Sequence, residues 1–148
     1  MIAGGLIGAL GAWATAVLTA YLAATTFATM AVVRSLHNLG APVAFLQGLR
    51  MIVHDWLAMT GIFLPVIALG FAIAMPLAGG LGRWKPDWRS GLFAAAGAAA
   101  LVAVHLALKA SFGITPIAVA RSLPGLASQA LAGAFGGWAF AALRAHWR

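Results

Sequence analysis

Long apolar segments dominate the pattern of hydrophobic and polar positions along the chain. Four of them are nearly free of charge, and each is long enough to cross a bilayer, which takes about 20 mostly apolar residues in a helix. Hydropathy of this strength predicts transmembrane helices. The predicted spans cover residues 4–33, 52–79, 91–110 and 123–143. The pattern therefore predicts an all-α fold, a four-helix transmembrane bundle.

The connection between the first two spans, residues 34–51, is the longest in the chain. Gly40 and Pro42 interrupt it, yet Phe45, Leu46 and further apolar residues follow them. Such a segment favours a short helix in the membrane interface over a water-exposed loop. We therefore expect a short interfacial helix between spans one and two.

Prolines and glycines mark the expected helix irregularities. Pro65 falls inside the second span, where it removes one backbone hydrogen bond, frees the carbonyl of Gly61 and predicts a kink. Pro76, with the glycine pair that follows it, is expected to end that helix. Ser122 stands before Leu123 and Pro124, which predicts an N-cap with proline in the first turn of the last helix.

Composition agrees with a protein that lies almost entirely in lipid. Of the 148 residues, 64% are hydrophobic and only 7% charged, whereas a soluble domain carries about 25% charged residues. No segment between the spans is long enough for a core of its own, so residues 1–148 are expected to form a single integral membrane domain.

The N-terminal segment lacks a basic n-region and its apolar run exceeds that of a signal peptide, which favours a retained helix. The abundance of Ala, Gly and Arg is typical of GC-rich bacterial genomes and suggests a multi-pass protein of the bacterial inner membrane.

The net charge of +7 arises from nine basic residues against two acids. The basic residues stand at the ends of apolar runs, where long side chains reach the interface and meet anionic headgroups. We therefore expect the lipid bilayer, and no nucleic acid, as the charged partner. The side that carries the termini has one more basic residue than the other, which predicts cytoplasmic termini. The two sets are Arg83, Lys85, Arg89, Arg144 and Arg148 against Arg34, Arg50, Lys109 and Arg121.

Small residues recur every fourth position in three of the predicted spans, a pattern that lets helix backbones approach closely in lipid. The third span carries Gly91, Ala95, Ala99, Ala103 and Ala107. These stripes exceed what one four-helix bundle needs, which predicts association with other membrane protein helices or a homo-oligomer. The helix-packing positions expected in the first and last spans are Gly8, Ala12, Ala16, Ala20, Gly133 and Gly137.

Five threonines lie in the first span. Each hydroxyl can bond to a carbonyl one turn earlier in its own helix, so none requires a partner elsewhere. We expect this local role for Thr15, Thr19, Thr25, Thr26 and Thr29.

Several polar residues fall on the side of the membrane opposite the termini. His54 and Asp55 lie at the predicted start of the second span, and His105 and Lys109 share a face near the end of the third. Because an unpaired carboxylate at membrane depth is costly, Asp55 is expected to pair with Lys109 first or Arg50 second. Such a pair acts either as a clamp that fixes helix register or as a functional site. The predicted polar cluster comprises His54, Asp55, His105, Lys109, Arg50 and Gln129.

Two histidines on different helices at one depth have the disposition that bis-His ligation of haem b requires. In that detail the chain resembles the small anchor subunits of respiratory complexes. The resemblance implies His54 and His105 as axial ligands of a membrane electron carrier. Apart from this alternative we expect no cofactor and no metal. The chain has no cysteine, which excludes iron–sulfur clusters and Cys-based zinc sites.

Enzyme motifs are absent from the sequence: there is no HExxH, no phosphate loop, no G-x-S-x-G and no second acid near Asp55. We therefore expect no enzymatic activity and no catalytic residue. The predicted function is that of a non-catalytic polytopic membrane protein, an accessory or assembly subunit that packs against other transmembrane helices. One alternative is a small channel or proton-coupled transporter that uses the Asp55 region, and a second is the haem-binding electron carrier.

Overall fold

The fold is a bundle of α-helices without strands in the part of the chain that the structure describes. A computed structural model describes residues 2–113 and 117–146, and it is 88% helical. Two single 3-10 turns, Pro86–Trp88 and Ala118–Arg121, connect the later helices. The helices are α1 (Ile2–Asn38), α2 (Phe45–Ala58), α3 (Phe63–Leu81), α4 (Arg89–Phe112) and α5 (Leu123–His146).

Four of the five helices, α1, α3, α4 and α5, are long and apolar enough to cross a membrane. The prediction of an all-α bundle with four spans is therefore confirmed. Successive spans run in opposite directions, and each packs against two others in the cyclic order α1, α5, α4, α3. The short helix α2 packs against α1. It occupies the place predicted for a short helix between spans one and two, although its bounds differ from the predicted segment.

Glycines set the distance between α4 and α5. A methyl group added to Gly97 would overlap the carbonyl oxygen of Gly133, and one added to Gly137 would overlap that of Phe93. These backbones are therefore in direct contact, as small residues permit between helices in lipid. Gly133 and Gly137, expected at helix contacts, lie at this one.

The small-residue stripe of α1 faces the other spans of the same chain. Gly8 and Ala12 are buried, and Ala16 and Ala20 have no exposed surface. Gly136 of α5 lies against Ala16 and Ala20, where an added methyl group would clash with backbone and side-chain atoms. The α1 stripe therefore packs against helices of the same chain and is not available to a partner. This differs from the expectation that the stripe includes more small residues than the packing of one bundle requires.

The predicted second span from residue 52 to 79 is wrong at its start. The chain forms two helices there, with a turn over residues 59–62 between Ala58 and Phe63. Because helix α3 begins at Phe63, Pro65 falls in its first turn, where the missing N–H has no helical partner to lose. The expected kink at Pro65 is therefore replaced by a helix break just before it.

The same span also ends later than expected. Helix α3 continues through Pro76 to Leu81, and the Gly82 N–H still donates to the carbonyl of Ala78. A transmembrane helix tolerates proline when its surroundings satisfy the freed carbonyl. The prediction that Pro76 ends the helix is wrong.

The connection between α1 and α2 begins with a glycine-dependent cap. Gly40 has a φ of 79°, its N–H donates to the carbonyl of His37, and the N–H of Ala41 donates to the carbonyl of Leu36. This is a Schellman motif, which requires a left-handed residue at that position. At the start of α5, the hydroxyl of Ser122 accepts a hydrogen bond from the N–H of Gly125 at 3.2 Å. The predicted N-cap is thus present.

Candidate functional site

The polar side chains that were expected in one cluster lie in two. One, which we call the α2 cluster, joins α1 to α2 and consists of Tyr21, Thr26, Thr29, Asp55, Trp56 and Thr60. The other, the His105 cluster, joins α4 and α5 to α1 and consists of His105, Gln129 and the carbonyl of Ala24.

In the α2 cluster, Asp55 is held by a threonine. The hydroxyl of Thr29 lies 2.7 Å from Oδ2 of Asp55, and Nδ1 of His54 lies 3.5 Å from Oδ1. The side chain of Asp55 is 30% exposed and that of His54 is 79% exposed. An ionised carboxylate only accepts hydrogen bonds, so Thr29 is the donor of the short contact.

Two aromatic residues complete the contact between α1 and α2. The indole Nε1 of Trp56 donates to the hydroxyl of Thr26 at 3.1 Å. The hydroxyl of Tyr21 donates to the backbone carbonyl of Trp56 and lies 3.3 Å from the hydroxyl of Thr60. These bonds fix the last two turns of α2 and the turn that follows them to the side of α1.

The predicted ion pair between Asp55 and Lys109 or Arg50 is wrong for the described part of the chain, where Asp55 pairs with neither. Asp55 belongs to α2, which packs on α1, and not to the spanning helix that neighbours α4. Lys109 is exposed in the last turn of α4, and Arg50 is exposed on α2. The hydroxyl of Thr29 replaces a cation as the partner of the carboxylate.

The His105 cluster is fully enclosed. His105 is 2% exposed and Gln129 is 0% exposed. Nδ1 of His105 is buried without a partner among the described residues, while its Nε2 lies 3.3 Å from Oε1 of Gln129. Nε2 of Gln129 donates to the carbonyl of Ala24 at 3.0 Å. Since the amide must turn its NH₂ group to that carbonyl, its oxygen faces the ring, which fits the tautomer protonated at Nε2.

The haem alternative gains no support from this geometry. A haem ligand needs a ring nitrogen directed at open space, whereas Nε2 of His105 is engaged by Gln129 and the ring packs on Phe63 at 5.7 Å. His54 lies on α2 and is exposed. Over residues 2–113 and 117–146, no group of three or more His, Cys, Asp or Glu side chains is placed to hold a metal ion. A bis-His haem site therefore stays an untested prediction.

The sequence pattern did not identify the threonines of α1 as partners of α2. Thr15, Thr19 and Thr26 do bond to carbonyls of their own helix, as expected. Thr29 bonds to the carbonyl of Thr25 and also to Asp55. Thr25 itself has a buried hydroxyl without a partner among the described residues. Thr15 and Thr19 are spaced by four residues just as Thr25 and Thr29 are, so no sequence spacing distinguishes Thr26 and Thr29, the two that contact α2.

Comparison with known proteins found no family model, no curated protein and no solved structure that matches this chain. The class of protein is therefore defined by the fold alone. Four apolar helices of spanning length make it a multi-pass membrane protein.

Proposed function

We propose that the protein is a non-catalytic accessory or assembly subunit of a membrane protein complex. It associates with other transmembrane helices through the outer face of α3 and α4. The observation that carries this proposal is the position of the α4 stripe. Whereas the small residues of α1 and α5 pack inside the bundle, every member of the α4 stripe is exposed. These residues are Gly91, Ala95, Ala99, Ala103 and Ala107.

An exposed stripe of this kind favours a helix as its neighbour. Lipid tails solvate large apolar side chains as well as small ones, so nothing drives a lipid-facing surface towards alanine. A second helix gains from small residues because its backbone then approaches closely and makes more van der Waals contacts. Four members of the stripe, Ala95, Ala99, Ala103 and Ala107, also line a groove of about 600 Å³ between α3 and α4.

The simplest occupant of this face is a second copy of the chain. Large exposed residues run along α3 beside the small residues of α4, also at spacing four: Leu69, Ile73, Leu77 and Leu81. Two copies in one membrane share an orientation and pair about a two-fold axis along the membrane normal. The α3 ridge of one copy then lies over the α4 stripe of the other, so the face is complementary to itself.

The proposal is tested by measuring the mass of the protein in mild detergent by native mass spectrometry or light scattering. The discriminating variant is Ala99→Leu, which fills the stripe at its centre. Ala127→Leu is the matched control, because Ala127 is an exposed alanine on the lipid-facing side of α5. We expect a dimer for the wild type and the control, and a monomer for Ala99→Leu.

Any other result contradicts either the proposed assembly function or the proposal that a second copy of the chain occupies this face. A wild-type chain that is strictly monomeric and brings no partner overturns the assembly function. If the chain instead forms a stable complex with a different membrane protein, and Ala99→Leu abolishes that complex, the α4 face is an association surface. Its occupant is then the other protein and not a second copy of the chain. A dimer that survives Ala99→Leu shows that the outer face of α3 and α4 is not the dimer interface.

Proton-coupled transport is the second candidate, favoured by two buried polar atoms. The hydroxyl of Thr25 and Nδ1 of His105 lack hydrogen-bond partners among the described residues, and such atoms readily bind water. Asp55 is an ionisable group one helical turn away: its carboxylate contacts the hydroxyl of Thr29, which also contacts the backbone carbonyl of Thr25. Proton flux into liposomes that is lost in Asp55→Asn and retained in Asp87→Asn, the other acid of the chain, would support this function.

A further inference from the structure

A cleft of about 1100 Å³ lies at the end of the bundle opposite α2, between the N-terminal part of α1 and the C-terminal part of α3. Its inner walls are apolar and are supplied by three spans, with Leu10 on α1, Met75 on α3 and Phe140 on α5 among them. The cleft belongs neither to the α2 cluster nor to the outer face of α3 and α4.

Three arginines from three different segments line the same cleft. Arg83 follows α3, Arg89 opens α4 and Arg144 lies in the last turns of α5. Arg89 is held over the ring of Phe93 at 5.6 Å. Arginine stays charged whatever other partners its guanidinium has. Among the described residues no Asp or Glu side chain lines the cleft, and the chain has two acids in all.

The surroundings place this cleft at the level of lipid headgroups. Trp84 and Trp88, in the turn that carries Arg83, are 89% and 70% exposed. Exposed tryptophans at the end of transmembrane helices mark the interface between hydrocarbon and headgroups. The arginines therefore lie where phosphate groups lie, and the apolar walls extend from them along the spans.

A polar group of the inner wall also lacks a partner. Trp13 lines the cleft, and its indole Nε1 is buried without a hydrogen-bond partner among the described residues. A buried donor without an acceptor is unfavourable. An oxygen atom of a ligand bound in the cleft would supply this missing acceptor.

From these observations we propose that the cleft is a binding site for an anionic glycerophospholipid. The phosphate group lies among Arg83, Arg89 and Arg144, and an acyl chain lies against the apolar residues of α1, α3 and α5. The charge selects an anionic headgroup over a zwitterionic one. The length of the apolar wall selects a lipid over a free anion, which would leave that wall uncovered.

The test compares phosphatidylglycerol with phosphatidylcholine on the full chain in detergent. Native mass spectrometry counts the lipids that stay bound, and thermal unfolding reports the stabilisation that each lipid gives. We expect the wild type to retain phosphatidylglycerol and to be stabilised by it more than by phosphatidylcholine. Inorganic phosphate is expected to give no comparable stabilisation and not to displace the lipid.

Two kinds of variant separate a built site from diffuse surface charge. Arg83→Gln removes one charge of the cleft, and Arg50→Gln is its control because Arg50 is exposed on α2 at the opposite end. We expect Arg83→Gln to weaken phosphatidylglycerol binding about fivefold, the equivalent of about 1 kcal/mol, and Arg50→Gln to leave it unchanged. Equal losses in the two variants overturn the proposal.

Gly80→Leu fills the cleft and leaves all charges in place. Gly80 lines the cleft and a methyl group added there meets no atom within 4 Å. Gly11→Leu is the control, since Gly11 is exposed on α1, has equally open surroundings and does not line the cleft. We expect Gly80→Leu to lose the bound lipid and Gly11→Leu to keep it. Should Gly80→Leu aggregate, Ala72→Leu fills the cleft from another exposed position on α3.

The remaining outcomes contradict the proposal. Lipid that is retained by a folded cleft-filling variant is bound elsewhere. If phosphatidylcholine binds as strongly as phosphatidylglycerol, the arginines do not select an anionic headgroup. Phosphate that matches or displaces the lipid shows an anion site without a role for the apolar wall.

Discussion

The hydroxyl of Thr29 and the carboxylate of Asp55 lie 2.7 Å apart and join α1 to α2. They are separated by 26 residues, and α2 has no fully buried residue of its own. A helix with so little burial depends on its polar contacts for a fixed position. The pair therefore holds α2 against the bundle, together with the bonds of Tyr21 and Trp56.

A double-mutant cycle tests this relationship. Thr29→Val removes the donor without a change of shape, and Asp55→Asn removes the charge. We expect the two changes to be coupled by about 1 kcal/mol in the free energy of unfolding, since the bond involves an ionised group. Unfolding in mixed micelles measures the four variants.

The cycle of Asp55→Asn with Lys109→Gln is the control. Because the two residues make no pair in the described structure, their effects should add within about 0.5 kcal/mol. Strong coupling to Lys109 and none to Thr29 would restore the ion pair expected from the sequence and contradict the observed position of α2.

The glycines between α4 and α5 carry a second prediction. Gly133→Ala places a methyl group on the carbonyl oxygen of Gly97, which belongs to a helix backbone and cannot rotate away. We expect the bundle to lose about 1–3 kcal/mol, the usual cost of overpacking. The measurement is the melting temperature in a mild detergent.

Gly91→Ala is the matched control on α4, where an added methyl group meets nothing within 4 Å. Alanine has the better helix propensity, so this variant should be neutral or more stable by up to about 1 kcal/mol. A Gly133→Ala protein as stable as Gly91→Ala would show that the two helices are further apart than described.

The orientation of the chain in the membrane is a third prediction. Arg83, Lys85, Arg89 and Arg144 lie at the end of the bundle where α1 begins and α5 ends. With Arg148 counted from the sequence, the side of the termini has five basic residues against four on the other, and under the positive-inside rule this excess of one predicts cytoplasmic termini. The chain has no cysteine, so Lys85→Cys and His37→Cys each create a unique label site. We expect a membrane-impermeant maleimide applied to intact cells to label His37→Cys alone, and labelling of Lys85→Cys alone would reverse the orientation.

The four spans were predictable because hydropathy alone decides whether a helix crosses lipid. The break between α2 and α3 was not, because Pro65 is compatible both with a kink inside one helix and with the first turn of a new one. Choosing between these requires knowing that Tyr21 and the threonines of α1 bind the end of α2. Those contacts join residues more than 25 positions apart, and no local pattern contains them.

The sequence predicts the location of each basic residue at a helix end, but not which basic residues from different helices lie close together. The position of the basic residues near residue 85 at the end of an apolar run predicts headgroup contact, which the exposed Trp84 and Trp88 support. The sequence does not reveal that Arg144, from the far end of the chain, shares a cleft with Arg83 and Arg89. The pairing of spans α1 with α5 and α4 with α3 determines that convergence, and hydropathy carries no information on pairing.

The last prediction concerns Gln129, whose amide joins three helices. Gln129→Leu keeps the volume and leaves the N–H of the buried His105 without an acceptor, which costs about 1–3 kcal/mol. Gln47→Leu is the control, because Gln47 is exposed on α2. We expect a lower free energy of unfolding for Gln129→Leu and little change for Gln47→Leu.

The double variant His105→Phe with Gln129→Leu decides whether the hydrogen bond or the packing matters. Replacing both partners with apolar groups of similar shape leaves no stranded donor and is often close to neutral. We therefore expect the double variant to recover part of the stability that Gln129→Leu loses, since the introduced phenyl ring would still pack on Phe63 as the imidazole does at 5.7 Å. A double variant less stable than either single one would mean that the polar pair stabilises the bundle by more than its hydrogen bond.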